Sequence, residues 1–96
     1  MYGLINRFVA HPSRRDELVN LMIGEQTAME GCRSYVVARD PKDPDALWIT
    51  EVWDSEAQWN ASLETPAVRA SIERAMPLIA SFGDTVFTEP VGGIGV

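Results

Sequence analysis

Ala46-Leu47-Trp48-Ile49-Thr50-Glu51-Val52-Trp53 is the stretch on which the fold turns. It has no glycine or proline and reads as a strand. Side chains alternate across a strand, so Leu47, Ile49, Glu51 and Trp53 share one phase, and Trp48, Thr50 and Val52 the other. Both phases carry large apolar groups. Immediately upstream, Asp40-Pro41-Lys42-Asp43-Pro44-Asp45 is a turn, with two prolines and three acids in six residues. Cys32 to Asp40, centred on Tyr35-Val36-Val37, is the preceding strand, and the pair forms a hairpin with a long loop.

Working outward, Tyr2 to Ala10 is a further strand. It places Leu4, Asn6 and Phe8 on one phase and Ile5, Arg7 and Val9 on the other. His11-Pro12-Ser13 breaks it. Ser13 is a natural N-cap with Asp16 three residues on, which predicts a helix from Ser13 to Met29 with Gly31 as its stop. Leu18, Leu21, Met22 and Met29 share a stripe of that helix, and Glu25 sits inside it. Asp54 or Ser55 caps a short helix from Glu56 to about Leu63. Thr65-Pro66 restarts the helical pattern, with proline at a first-turn position. Val68, Ile72, Met76 and Ile79 then form a stripe that runs to Phe82, with Pro77 loosening the last turn. Gly83-Asp84 ends it. Thr85 to Pro90 is a fourth, edge-like strand, and Gly92 to Val96 a tail.

The order βαββαβ is the ferredoxin-like α+β plan, in which helices cover one face of a four-stranded antiparallel sheet. The second face, with Ile5, Val9, Trp48 and Val52, is too apolar to stay in water. The expected cover is the same face of a second chain, giving a homodimer. A chain of 96 residues is one domain, 1–96, with its core about 2–90 and a tail over 91–96.

Composition excludes several classes. An apolar share of 46% and a charged share of 23% are those of a globular chain. No apolar run approaches the ~20 residues of a membrane helix. Eight basic against fourteen acidic residues leave a net charge of −6, which argues against nucleic acid and anionic membranes. The start lacks a basic stretch followed by an apolar core, so the expected location is the cytoplasm. One cysteine, Cys32, makes neither an internal disulfide nor a multi-cysteine zinc site. His11 is the sole histidine and reads as a solvated junction residue. There is no Gly-x-Gly-x-x-Gly after a strand, no Walker loop and no protein metal site. Any enzymatic chemistry must come from the substrate or from a cofactor that leaves no motif.

The proline-acid turn at 40–45, the run Trp48-Ile49-Thr50-Glu51-Val52-Trp53-Asp54-Ser55-Glu56-Ala57 and the Leu63-Glu64-Thr65-Pro66 restart resemble the antibiotic biosynthesis monooxygenase family in order and spacing. The resemblance extends from about Tyr2 to Glu89. It implies a dimeric α/β barrel joined sheet to sheet, and a relation to enzymes that oxidise quinols and anthrones without a cofactor, to haem-degrading enzymes and to isomerases of small metabolites. Trp53 matches the pocket tryptophan of the anthrone-oxidising members, and Ile49 replaces their asparagine. Trp59 corresponds to their helix aromatic, and Arg74 lies near their helix arginine. Asn6 matches the first-strand asparagine of the haem-degrading members. Their tryptophan and histidine fall at Ser62 and Ile72, so the haem-ligating set is lost.

The resemblance puts the phase of Asn6 and Trp53 at the ligand. In that arrangement Asn6, Glu51 and Trp53 point into one pocket between sheet and helices, as catalytic candidates. Phe8, Ile49, Trp59, Ser62 and Arg74 are the substrate-binding candidates. A buried amide needs partners, so Asn6 is satisfied either by backbone or by a ligand. Glu51 is either a desolvated base or the ion-pair partner of Arg33, Arg39 or Arg74. The implied activity is cofactor-free oxidation of a hydroxylated aromatic, quinol or anthrone by dioxygen. The alternatives are an isomerase or lyase in the same pocket and a non-catalytic ligand-binding dimer.

Overall fold

A computed structural model describes residues 1–24 and 29–96. The elements are β1 (Tyr2–Ala10), α1 (Arg15–Gly24), β2 (Cys32–Arg39), β3 (Ala46–Trp53), α2 (Glu56–Ser62), α3 (Pro66–Ala75), a 3-10 turn (Met76–Leu78) and β4 (Ile79–Thr88). The four strands form one antiparallel sheet in the order β2-β3-β1-β4. This is the ferredoxin-like α+β arrangement, with β1 and β3 as central neighbours.

The register sets which residues share a face. Leu4 lies opposite Glu51, Asn6 opposite Ile49 and Phe8 opposite Leu47, and across the hairpin Tyr35 lies opposite Glu51. These residues look toward the helices. Leu18 and Val19 of α1, Ala75 of α3 and Leu78 of the 3-10 turn pack onto Ala10, Leu47 and Ile49 to make the closed core. The opposite face carries Ile5, Arg7, Val9, Trp48 and Val52, all half-buried, beside exposed Val36 and Val86. Arg7 pairs there with Asp43 at 3.0 Å and lies over the Trp48 ring, whose indole N–H donates to Asp40 at 3.0 Å.

Several sequence expectations are corrected. The first helix starts at Arg15, not Ser13. Ser13 has φ +69°, outside the extended backbone that an N-cap needs. Instead Arg14 closes a turn onto the His11 carbonyl, and its own carbonyl accepts the Leu18 N–H. The described helix ends at Gly24. Gly31 has a φ of +83° and sits in a turn in which the Cys32 N–H bonds the Met29 carbonyl. Glu25 lies outside the described residues.

The helix expected to reach Phe82 ends at Ala75. Pro77 has no N–H to continue the ladder, so the chain tightens into the 3-10 turn and is extended at Ile79. The fourth strand therefore begins at Ile79 rather than Thr85. Gly83 and Asp84 do not end a helix. They sit within β4 where its register against β1 shifts between Asn6 and Phe8. A Cβ at Gly83 would come within 3.0 Å of the Arg7 backbone oxygen, which is why glycine suits that irregularity.

Both later caps follow the sequence. Ser55, not Asp54, caps α2 by accepting from the Gln58 N–H, and Thr65 caps α3 by accepting from the Val68 N–H, with Pro66 in its first turn. Among the described residues, no helix is long and apolar enough to cross a membrane.

Candidate functional site

A cavity of about 240 Å³ lies between the sheet and the helices. Its floor is β1 and β3, which contribute Asn6, Phe8, Ile49, Glu51 and Trp53, with Tyr35 of β2 beside Glu51. The walls come from α2 (Trp59, Ser62) and the following Leu63, and from α3 (Val68, Ser71, Ile72, Ala75). Met22, Met29, Met76, Ile79 and Phe82 complete it. Ile72, Met76 and Phe82 line it and are also exposed, which marks an apolar mouth between α3 and β4.

Glu51 is the central polar group. It is only 9% exposed. Its Oε1 accepts the indole N–H of Trp53 at 3.0 Å. Burial raises its pKa above the ordinary carboxylate value, because the charged form loses water. The Trp53 hydrogen bond opposes that rise without cancelling it. The ion-pair alternative is not realised through Arg33 or Arg39. Arg33 pairs with Asp54 and Arg39 with Asp16 at 3.0 Å, both at the surface. Arg74 is exposed and is not part of the cavity lining.

Asn6 stands on the neighbouring strand, diagonal to Glu51 on the same sheet face. Its carboxamide has no side-chain hydrogen bond among the described residues, although it is half-buried. An amide in this position has its hydrogen-bonding capacity open to whatever fills the cavity. The Ser62 hydroxyl is already used, donating to the Trp59 carbonyl at 2.6 Å. Ser71 likewise donates to the Ala67 carbonyl at 3.1 Å.

The aromatic groups are held by one another. Trp59 packs on Tyr2 with centroids 5.4 Å apart and meets Phe87 edge-on at 6.3 Å. Phe8 meets Phe82 edge-on at 5.5 Å. Thus Asn6, Phe8, Ile49, Glu51, Trp53, Trp59 and Ser62 all line one cavity, and Arg74 alone of the eight candidates stands apart. Sequence reasoning missed Tyr35 and Phe82 as lining residues. Tyr35 was findable: a hairpin centred on the 40–46 loop, where the Asp40 N–H bonds the Ala46 carbonyl, pairs it with Glu51.

Cys32 lies outside the cavity. Its thiol pKa is raised by burial and by the nearby charge of Glu51. His11 is exposed at the junction after β1. Among the described residues, no three His, Cys, Asp or Glu side chains cluster as a metal site.

The antibiotic biosynthesis monooxygenase family model matches residues 1–74. A crystal structure from Chloroflexus aurantiacus J-10-fl, assigned to that family by name, is 51% identical, with 98% of this chain and 96% of that one covered at a TM-score of 0.94. A second, from Deinococcus radiodurans, is 22% identical over 100% of this chain and 98% of that one, at a TM-score of 0.81, a likeness of fold. No curated protein matches the chain.

Proposed function

The chain belongs to the antibiotic biosynthesis monooxygenase family, and we propose that it is a cofactor-independent monooxygenase that oxidises a hydroxylated aromatic, quinol or anthrone-like molecule with dioxygen in the cytoplasm. The observation that carries this reading is the pair Asn6 and Glu51 on the floor of an otherwise largely apolar cavity. A phenol needs little more from a protein than a base, a donor for its oxygen and exclusion of water.

Glu51, in its ionised form, takes the phenolic proton. The Asn6 amide N–H groups donate to the resulting oxyanion. The electron-rich ring passes one electron to dioxygen, and the radical pair joins at a hydrogen-bearing ring carbon, para to the oxygen in an anthrone and ortho to it in a quinol. Protonated Glu51 delivers its proton to the peroxide. It then removes the proton from that carbon as the O–O bond breaks, and a carbonyl forms there. The departing hydroxide leaves as water with the proton held by Glu51. The ring has given up four electrons, one oxygen atom is retained and the other becomes water, so no outside reductant is consumed. Phe8, Ile49, Trp53 and Trp59 serve as walls.

The proposal includes a homodimer formed through the sheet face opposite the cavity. Support comes from Val36 and Val86, about half exposed at 53% and 50%, beside Ile5, Val9, Trp48 and Val52.

Oxygen uptake with a panel of hydroquinones and anthrones tests the activity. Substrate-dependent uptake that falls at least tenfold in Glu51→Gln supports it. Turnover of the same panel without oxygen, or no uptake with any member, overturns it.

A further inference from the structure

The cavity lining is as informative for the charge it lacks as for the groups it holds. Among the described lining residues none is lysine, arginine or histidine. The four undescribed positions, 25–28, are Glu, Gln, Thr and Ala in sequence, so they bring no cation either. Glu51 is the sole carboxylate among the described lining residues.

Helix ends do not replace the missing cation. The cavity meets α3 along its flank, through Val68 in the first turn and through Ser71, Ile72 and Ala75. The Val68 N–H is taken by Thr65 Oγ1 at 3.3 Å. From α2 the cavity meets Trp59 and Ser62, and Leu63 just beyond, toward the C-terminal and therefore negative end. A carboxylate, sulfonate or phosphate entering this space would lose its water, meet no opposite charge and approach Glu51.

We propose that the site selects uncharged hydroxyaromatic ligands and excludes their anionic counterparts, which rests on the reading of the cavity as the substrate site. The volume suits a two-ring skeleton. A cavity of about 150 Å³ holds benzene, and this one is larger at about 240 Å³.

The test is anaerobic titration calorimetry at pH 7 with 2-naphthol, 6-hydroxy-2-naphthoate and 6-hydroxynaphthalene-2-sulfonate. Binding is read without turnover, so the result stands whether or not oxygen uptake is found. The expected result is binding of 2-naphthol at least about tenfold tighter than either anion. Ser71→Lys places a cation on the α3 wall at a helix position that tolerates lysine. It is expected to shift the preference toward the two anions, relative to 2-naphthol, by about tenfold or more. Equal or tighter binding of either anion by the native chain overturns the inference. So does a Ser71→Lys variant with native melting behaviour and an unchanged preference. Absence of heat with all three ligands overturns it as well.

Discussion

The indole N–H of Trp53 donates to Oε1 of Glu51 at 3.0 Å, and both side chains are buried. Two residues apart on β3, they share a face, so the strand itself delivers the donor to the carboxylate. Among the described residues, this is the hydrogen bond that the Glu51 side chain makes. The base proposed for the reaction is thus held by an aromatic wall of its own cavity.

Glu51 should titrate above its ordinary value of 4.5. Asn6, Tyr35 and Trp53 neighbour it on the sheet, Tyr35 and Cys32 are the ionisable groups near it on β2, and the lining of α2 and α3 is uncharged. The unfolded chain releases this proton first as pH rises. The stability contributed by the protonated group is therefore full below 4.5 and lost as pH rises through the folded value. Carbon-13 titration of the Glu51 carboxyl should show the raised value. Glu51→Gln should melt higher relative to the native chain at pH 7 than at pH 4.

Trp53→Phe keeps an aromatic ring, removes the hydrogen bond and gives up the volume of the second indole ring. The expected cost in stability is about 1–3 kcal/mol, since the buried carboxyl loses its donor. The Glu51 pKa should rise further, and the acid limb of the pH–rate profile should move to higher pH. A profile that stays in place in a folded variant contradicts the role of Trp53 in holding the base.

Asn6→Leu should separate stability from function. The native carboxamide gives up no side-chain hydrogen bond with the described residues, so thermal melting should change by no more than about 0.5 kcal/mol. Affinity for a hydroxyaromatic should fall about tenfold, as expected when a hydrogen bond to the ligand oxygen worth roughly 1.5 kcal/mol is lost. A large loss of stability with unchanged affinity would make Asn6 structural.

Thr65→Ala removes the cap of α3 and should cost about 0.5–2 kcal/mol. In a domain of this size about 1 kcal/mol lowers the melting temperature by roughly 4–8 °C. Val36→Glu combined with Val86→Glu should leave the fold intact and convert the proposed dimer to a monomer in sedimentation equilibrium. A native chain that sediments as a monomer at micromolar concentration contradicts the dimer.

Periodicity carried the sheet and most of the cavity floor. Residues 4, 6 and 8 and residues 47, 49, 51 and 53 alternate regularly, and the topology makes their strands neighbours. The resemblance, not the alternation, chose which phase faces the helices. Arg74 was misplaced because a loose alignment outweighed helix geometry. It lies about 240° round the helix from Val68, while Ser71, Ile72 and Ala75 stay near the lining face. Phe82 was hidden by a stripe, Val68, Ile72, Met76 and Ile79, that fits a helix well. All four do line the cavity, but the chain leaves the helix at Pro77 and Ile79 reaches that space from a strand. Ser13 shows the same limit at smaller scale: the residue type suits a cap, and its backbone angle forbids one.

The tightly packed core and the cavity divide the layer between helices and sheet unequally. Leu18, Val19, Ala75 and Leu78 close one end. At the other end α2, seven residues long, rests over open space and buries Ser62 alone. Cooperativity is therefore graded along the molecule. The backbone amides of α2 should exchange with deuterium through opening of the cavity end alone, and those of the β1–β3 ladder only on global unfolding. A ligand that fills the cavity couples the two ends, and its occupancy is legible in the slowed exchange of α2 even where no turnover follows.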